Sequence, residues 1–445
     1  MEIRIPDEVK YIIDTLENSS YEAYVVGGCV RSAVLGLEPK DWDICTTALP
    51  VQTMQCFEGC HIIETGLKHG TITLVLNHKP FEITTYRVDG SYSDNRHPDE
   101  VEFVSDLKAD LSRRDFTINA MAYNPKEGFV DFFDGISDIK NRLIRCVGEA
   151  DKRFQEDALR IMRALRFASE LDFNIEDETS AAILRNKCLL TNIAAERIAV
   201  ELNRLITGRN VENVLLAYSS VLEVIIPEIK EMVGLAQNNP NHHLDIWSHT
   251  AASVSKAPAD TVLRMVMLFH DFAKPKSYSE VDSVGHFYDH AKISSEVAKE
   301  ILARLKYDND TIETVSQLIL YHDAEILPER KDVKQWLNRI GEKRFRQLIE
   351  VKRADASAQS AKHRREKLEA LDNVLPVLSE IIDQRQCFSL KDLAINGNDL
   401  IAIGIAEGIE IGKTLDSLLE LVINESVENN RDELLEVAKD IRHPE

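Results

Sequence analysis

Residues 27–44 read GGCVRSAVLGLEPKDWDI and follow the apolar segment YEAYVV at residues 21–26. The apolar segment has the length and composition of a short buried strand. A Gly27-Gly28 turn that leads into a helix lets backbone N–H groups approach a phosphate, and the helix N-terminus favours anions. Arg31 can add a charge-assisted hydrogen bond. A Gly-Gly pair alone is more often a plain tight turn, but this order of strand, turn and helix is typical of a phosphate-binding site.

Two carboxylates, Asp41 and Asp43, follow this unit. On a strand, residues i and i+2 project from the same face, so these side chains are expected to lie close together. Two negative charges at close range are unfavourable unless a cation lies between them. Mg²⁺ binds carboxylates together with substrate phosphates and supports transfer of a nucleotidyl group with loss of pyrophosphate. A D-x-D pair alone is usually a solvated edge, whereas its position after the Gly-Gly turn predicts a Mg²⁺ site.

Residues 27–44 resemble the signature of the polymerase-β nucleotidyltransferase superfamily. More narrowly, they resemble class II tRNA nucleotidyltransferases, the CCA-adding enzymes, and the related bacterial poly(A) polymerases. Three further blocks resemble the same family: LSRRDFTINAMA at residues 111–122, QEDALRIMRALRFASEL at residues 155–171, and AAERIAVEL at residues 194–202. The resemblance implies an enzyme that extends the 3′ end of tRNA, with CTP and ATP as substrates and Mg²⁺ as cofactor.

The resemblance also implies roles for individual residues. Asp41 and Asp43 are expected to be the catalytic metal ligands, and phosphate or sugar is expected to be bound by Gly28, Arg31 and Arg114. Ser32 departs from the family pattern, which usually has Asp after the Arg, and this weakens a local supporting contact. Glu82 in the segment FEITTY is either a third acid facing the Asp pair or a surface carboxylate, and the sequence favours neither alternative.

Charged residues recur every three positions in the block at residues 155–171, namely Asp157, Arg160, Arg163 and Arg166. On one helix, this spacing forms a slowly turning stripe. Adenine and cytosine both present an amine donor beside a ring-nitrogen acceptor, which a carboxylate and a guanidinium can match. Guanine and uracil present the reverse order and would leave both protein groups unpaired.

Asp157 and Arg160 are therefore predicted to select A and C without a nucleic-acid template. The resemblance implies the same roles, and it gives Arg163, Arg166 and Arg114 the task of holding the triphosphate or orienting Asp157. Without the resemblance, an ordinary charged helix face would explain the spacing as well.

The polar segment DNRHP at residues 94–98 resembles the loop of family members that add the final A. His97 stands where relatives often carry a second Arg. The segment favours CCA addition, and the alternatives that remain open are an A-adding-only enzyme and a poly(A) polymerase.

A second series of residues resembles the signature of an HD domain: His249, His270, Asp271 and Asp355. Imidazole and carboxylate ligands suit a second divalent metal, a transition metal, which could support hydrolysis of a phosphate ester. His290 and His322 are candidates for extra ligands. The alternative is a degenerate HD fold that serves only as a helical scaffold. A phosphohydrolase with a nucleotide-sensing head and a noncatalytic RNA-binding protein are the rival classes of function.

The order of these patterns predicts an α+β protein. A polymerase-β-like head with a mixed sheet and helices is followed by an all-α neck, body and tail that contain the HD-type domain. The expected segments are a head at 1–145, a neck that recognises RNA and nucleotide at 146–235, an HD-like domain at 236–365 and a tail at 366–445. The tail resembles the C-terminal segment of the same family, which implies tRNA binding, and the alternative is a helical bundle that only caps the body.

Composition limits the classes of function. The 445 residues carry a net charge of −22, which argues against a nonspecific nucleic-acid coat, whereas a local basic stripe can still contact RNA. No run of about 18 apolar residues predicts a membrane span, and the N-terminus lacks the pattern of a secretory signal. Seven scattered Cys residues without metal spacing predict reduced thiols and a cytoplasmic location. The sequence does not determine the oligomeric state.

Overall fold

The computed structural model describes residues 2–90, 101–238, 244–282 and 284–442. The chain forms two compact units, of which the first comprises Met1–Lys230 with Arg304–Lys306 and the second comprises Glu231–Ala303 with Tyr307–Glu445. The predicted loop at residues 94–98 lies outside the described residues. None of the described helices combines the length and apolar character that a bilayer span requires.

The first unit begins with a mixed sheet. The strands up to residue 131 are β1 (Ala23–Val26), β2 (Asp43–Thr46), β3 (His61–Ile63), β4 (Thr71–Leu76), β5 (Lys79–Thr85), β6 (Arg87–Asp89), β7 (Val101–Phe103), β8 (Met121–Asn124) and β9 (Gly128–Asp131). Seven of them form one sheet in the order β3-β4-β5-β2-β1-β8-β9, and β6 pairs with β7 separately. The β2–β5 pair is parallel and the other neighbours in the large sheet are antiparallel.

Helices flank this sheet and then make up most of the first unit. They are α1 (Asp7–Asn18), α2 (Gly28–Val34), α3 (Pro50–Cys56), α4 (Leu107–Ser112), α5 (Gly135–Lys140), α6 (Ala150–Glu156), α7 (Leu159–Leu171), α8 (Asp177–Asn186), α9 (Ala195–Ile206), α10 (Val211–Ala217) and α11 (Ser219–Ile225). The apolar residues of α7 and α9 recur at spacings of three and four, and they are buried where these two helices pack together. The predicted α+β class is confirmed.

Strand β1 determines where the predicted site forms. All four of its residues are buried, and it lies between β2 and β8. Its last residue, Val26, pairs with Asp43 at the start of β2. The Gly27 turn that leaves β1 is therefore adjacent to the first residue of β2, so the phosphate turn and the carboxylates occur at the same edge of the sheet.

The remainder of the chain is mainly helical, as predicted. Its helices are α12 (Ile246–Lys256), α13 (Thr261–Phe269), α14 (Lys274–Ser277), α15 (His290–Arg304), α16 (Asn309–Tyr321), α17 (Arg330–Ser357), α18 (Ala361–Asp383), α19 (Gly397–Ala402), α20 (Ile409–Ile423) and α21 (Arg431–Arg442). The long helix α17 bends at Gly341, whose φ of 76° is incompatible with a continuous α-helix.

Two short ladders depart from the all-helical prediction for the neck and body. In the first unit, β10 (Leu143–Ile144) pairs in parallel with β11 (Asn174–Ile175). In the second, β12 (Tyr278–Val281) and β13 (Val284–Phe287) form an antiparallel hairpin. At the hairpin turn, Asp282 adopts a left-handed φ of 52°, a conformation that Asp tolerates better than most residues. These strands are too short to show a clear alternation of apolar residues, so helical periodicity in their surroundings concealed them.

Candidate functional site

The Gly27 turn requires glycine for two reasons. Its φ of 78° lies in the left-handed region, and a Cβ at this position would lie 2.9 Å from Nη1 of Arg114. The Gly27 N–H donates to the carbonyl of Met121 on β8, and α2 begins at the next residue, Gly28. The turn therefore brings the start of a helix and the Arg114 guanidinium together, which suits an anion.

The two predicted metal carboxylates lie beside this turn, but only one of them belongs to a strand. Asp43 is the first residue of β2, whereas Asp41 precedes the strand, and both are exposed. The expectation that both project from one strand face is wrong for Asp41, because β2 starts only where Asp43 pairs with Val26. Asp43 also pairs with Glu82 on β5, so these two carboxylates share a sheet face. This register places Glu82 beside Asp43, and its side chain is exposed.

The pKa of Asp43 is shifted by burial and by the neighbouring charges. Loss of surrounding water raises the pKa of Asp43 above its usual value, the charges of Glu82 and Asp41 raise it further, and only Arg114 opposes the shift. A cation between the carboxylates would remove this repulsion. The donor set therefore fits a hard divalent ion.

A single cavity of about 870 Å³ in the first unit contains the predicted residues of the transfer site. Its lining includes Gly28, Arg31, Asp41, Asp43, Arg114, Asp157, Arg160, Arg163 and Arg166. A volume of this size accommodates a ligand as large as a nucleoside triphosphate. One cavity is thus lined by residues from three separate sequence blocks, at 27–44, 111–122 and 155–171.

Several guanidinium groups surround the ring of Phe167 in the cavity wall. The Cζ atom of Arg166 lies 3.9 Å from the ring centroid, and that of Arg31 lies 4.7 Å from it. Arg31 also donates a hydrogen bond to Asn119. Burial lowers the pKa of Arg31 below its usual value and that of Arg166 to about 10, and both groups stay charged at neutral pH. The wall is therefore a site of concentrated positive charge, suited to a triphosphate.

Asp157 does not belong to the helix that carries the three arginines. It lies between α6 and α7 with extended backbone angles, φ −137° and ψ 104°. Its Oδ1 accepts from the backbone N–H of Leu159 at 3.1 Å, and its Oδ2 accepts from Nη2 of Arg197 at 3.0 Å. The prediction of a single helical stripe is wrong at this position, because the carboxylate bonds to the first turn of α7 instead of continuing the helix.

Arg160 connects three segments. Its Nη1 donates to the carbonyl of Arg153 at 3.0 Å and to Oε2 of Glu156 at 2.7 Å, and its Nη2 donates to the carbonyl of Arg113 at 3.0 Å. Glu156 is the last residue of α6, and Arg113 follows α4. The guanidinium is thus held in a fixed orientation at the cavity wall.

Sequence reasoning missed the buried acids that balance these cations. Asp115 accepts from Nε and Nη2 of Arg163 at 2.8 and 2.6 Å, and Oε2 of Glu201 lies 2.8 Å from Nε of Arg166. Both acids are buried. They lie in the blocks LSRRDFTINAMA and AAERIAVEL. The available signals were the two arginines directly before Asp115 and the apolar residues on both sides of Glu201.

In the second unit, six predicted ligands form two adjacent groups. The ligand atoms within each group lie within 4.8 Å of one another, and the groups are His249, His270 and Asp355, and then Asp271, His290 and His322. Nε2 of His249 lies 2.9 Å from Oδ1 of Asp355 and 3.7 Å from Oδ2 of Asp271. The histidine and aspartate residues that resembled an HD signature are thus close together in space.

The imidazoles are oriented as metal ligands usually are. Nδ1 of His270, His290 and His322 each contacts a backbone carbonyl, at 2.7, 2.9 and 2.7 Å respectively. A carbonyl can only accept, so the proton resides on Nδ1 and Nε2 keeps its lone pair. Oδ1 of Asp271 is buried and has no hydrogen-bond partner among the described residues, whereas Oδ2 lies 2.8 Å from Nζ of Lys274 and 3.2 Å from Nε2 of His270. Buried polar atoms of this kind fit a divalent cation.

Three known protein families match segments of this chain. Residues 23–145 match the family described as "Poly A polymerase head domain". Residues 172–233 match the family described as "Probable RNA and SrmB- binding site of polymerase A". A third family, "tRNA nucleotidyltransferase domain 2 putative", matches residues 279–438.

Curated relatives match over nearly the whole chain. The CCA-adding enzyme of Lactobacillus helveticus is 32% identical, and the match covers 97% of this chain and 96% of that protein. The CCA-adding enzyme of Ligilactobacillus salivarius is 33% identical over 98% of this chain and 97% of that protein. Among solved structures, the Bacillus stearothermophilus CCA-adding enzyme in complex with CTP is 28% identical, with a TM-score of 0.71 and 98% coverage of both chains.

Replacing Asp115 by Asn should destabilise the first unit by about 2–3 kcal/mol at pH 7, because it removes a buried charge from Arg163. Burial raises the pKa of Asp115, but Arg163 and Asn119 outweigh burial and hold it well below its usual value. The stabilisation is therefore fully present above the unfolded-state pKa of about 3.9 and is lost as pH falls towards the folded-state pKa. Urea unfolding at pH 7 and at lower pH measures both effects.

The matched control for this variant is Asp151→Asn, which removes an exposed partner of Arg185. It should change the free energy of unfolding by no more than about 1 kcal/mol. Equal, small effects of the two substitutions would contradict the structural role given to Asp115.

Proposed function

The chain belongs to the family of CCA-adding enzymes, which are tRNA nucleotidyltransferases, and on this premise we propose that its first unit adds C, C and A to the 3′ end of tRNA. CTP and ATP are the substrates, and pyrophosphate is released. The observation that carries the proposal is the shared cavity, in which Asp41 and Asp43 face the same space as the Gly27 turn and Asp157. A template-independent nucleotidyltransferase needs metal ligands, phosphate ligands and base-reading groups together, and the residues proposed for all three roles line this cavity.

Asp41 and Asp43 are the proposed ligands of the catalytic metal. Their place in the cavity beside the Gly27 turn supports this assignment. Burial raises the pKa of Asp43 and the charges of Glu82 and Asp41 raise it further against the effect of Arg114, and a bound cation would offset both causes. The family implies dependence on a divalent metal, and we propose Mg²⁺ because the donors are carboxylate oxygens. When bound, Mg²⁺ favours attack by the RNA 3′-hydroxyl on the α-phosphate and stabilises the departing pyrophosphate.

The protein groups around the metal position the nucleotide. The backbone at Gly28 and the guanidinium groups of Arg31 and Arg114 bind phosphate or sugar. Arg163 and Arg166 hold the triphosphate, because their charge is kept in place by Asp115 and Glu201. Holding the substrate in a fixed geometry lowers the entropic cost of the reaction, which is the main contribution a protein makes to this chemistry.

Asp157 and Arg160 read the base. A carboxylate that accepts from the amine and a guanidinium that donates to the ring nitrogen match both cytosine and adenine. Each buried polar group left unpaired by guanine or uracil costs roughly 1–3 kcal/mol, which is enough for strong rejection. An A-adding-only enzyme or a poly(A) polymerase could use the same two groups for adenine, so the product of the reaction distinguishes these activities from CCA addition.

The proposed division of labour follows the sequence segments. We assign nucleotidyl transfer to residues 1–145 and recognition of RNA and nucleotide to residues 146–235. The HD-like domain comprises residues 236–365, and the tRNA-binding tail comprises residues 366–445. We place the protein in the cytoplasm. All seven cysteines are free thiols, which supports a reducing compartment.

For the second unit we propose a transition-metal site with phosphohydrolase activity. The two ligand groups around Asp271 support it, together with the buried oxygens of that residue. His249, His270, Asp271 and Asp355 would hold the first ion, and His290 and His322 extend the set. A divalent ion there would polarise a phosphate ester towards hydrolysis. Lys274 lies 2.8 Å from Asp271 and supplies part of the positive charge that the acid needs.

Asp41→Ala and Asp43→Asn should each reduce nucleotide addition by at least about 10³-fold, because a metal ligand is lost while the phosphate-binding groups remain. Incorporation of labelled CTP into tRNA that lacks CCA measures the effect, and filter binding of the same tRNA should be unchanged. The control is Glu64→Gln, an exposed acid outside the cavity, which should add CTP at the wild-type rate. Addition by either Asp variant at close to the wild-type rate would exclude these residues as metal ligands.

His270→Ala and Asp271→Asn should abolish binding of Ni²⁺ in the second unit and leave addition of CTP intact. The Ni²⁺ content after dialysis, measured by mass spectrometry, is the direct readout, and hydrolysis of a 2′,3′-cyclic phosphate is the second. His286→Ala, which changes a neighbouring histidine outside both ligand groups, is the control. A wild-type protein that retains no more Ni²⁺ than the variants would show that the HD-like domain is a scaffold.

A further inference from the structure

We infer that Arg197 is the positioning residue for Asp157, and that their ion pair sets the enzyme's discrimination between C or A and U or G. The inference rests on the proposed function, since it assumes that Asp157 reads the incoming base. Nη2 of Arg197 donates to Oδ2 of Asp157 at 3.0 Å, and both residues line the nucleotide cavity. Arg197 belongs to α9, and 40 positions of sequence separate it from Asp157.

Asp157 needs such support because no helix holds it. Its backbone is extended between α6 and α7, and among the described residues the N–H of Leu159 is the one donor near it in sequence that bonds to its carboxylate. A single donor to Oδ1 leaves the plane of the carboxylate free to rotate about that hydrogen bond. A second donor to Oδ2 fixes the plane, and with it the direction of the lone pairs that accept from the base.

Arg197 is suited to this role by its own anchoring. The next residue, Ile198, is buried, as are Leu202 and Leu205 farther along α9, where the helix packs against α7. The guanidinium therefore extends from the helical core and does not depend on a mobile loop. A planar guanidinium also holds a carboxylate in a defined orientation, which a flexible ammonium does not.

One donor nitrogen of the Arg197–Asp157 pair is available for a hydrogen bond to a ligand. Nη1 of Arg197 is buried and has no hydrogen-bond partner among the described residues. The side chains of Arg197 and Asp157 are 26% and 19% exposed, so water screens their attraction only in part. Arg160, by contrast, uses its hydrogen bonds on Arg153, Glu156 and Arg113, which orient it by a separate set of contacts. The two base-reading groups are thus positioned by different partners.

The test compares nucleotide discrimination in wild type, Arg197→Lys and Arg197→Ala. The quantity measured is the ratio of kcat/KM for CTP to that for UTP on tRNA that lacks CCA, and of ATP to GTP on tRNA that ends in CC. Arg197→Ala should lower both ratios by about 10- to 100-fold, because a misoriented carboxylate no longer penalises the wrong amine position. Arg197→Lys should retain an intermediate ratio, since the charge is kept and the planar geometry is lost.

The control is Arg185→Ala, which removes a different guanidinium–carboxylate pair, with Asp151 on the surface of the same unit. It should leave both ratios unchanged. If a variant adds nucleotides too slowly, the dissociation constants of CTP and UTP give the same comparison. A loss of stability or of overall rate with unchanged ratios in both Arg197 variants would overturn this inference alone. A wild-type enzyme that adds neither C nor A would instead overturn the proposed function.

Discussion

The balance of charge in the nucleotide cavity is the constraint on which the first unit depends. A site for a triphosphate requires several guanidinium groups in a confined wall, and such a wall repels itself unless buried acids lie behind it. Asp110, Asp115 and Glu201 supply these charges. Asp110 is fully buried and pairs with Arg113 and Arg114, while the other two pair with Arg163 and Arg166.

The same cavity also carries a group of negative charges. At the edge of β2, Asp41, Asp43 and Glu82 accumulate negative charge that Arg114 offsets only in part. In the proposed function, a nucleotide with its metal would bring anionic phosphates to the arginines and a cation to the carboxylates. Both groups of charges would then favour substrate binding.

The sequence predicted much of this arrangement because the residues concerned are local in the chain. The strand, the Gly27 turn and the carboxylates all lie within residues 21–44, and short-range patterns suffice to recognise them. The helical stripe was predicted less well, because Asp157 lies before α7 and its carboxylate accepts from the N–H of Leu159, which periodicity does not reveal. Arg197 was missed because its partner is 40 positions away, and only the tertiary fold brings the two together. In the second unit, the spacing of the histidines predicted their clustering but not the orientation of their rings.

If one cavity selects C and then A for the end of a tRNA, the nucleotides supplied decide the 3′ end of the product. The 3′ ends of a tRNA transcript lacking CCA can be sequenced after incubation with the wild-type protein, Mg²⁺ and CTP alone, ATP alone, or both. We expect CTP alone to give ends in CC and both nucleotides together to give ends in CCA. Addition of A alone, or a long tail of A, would contradict this expectation.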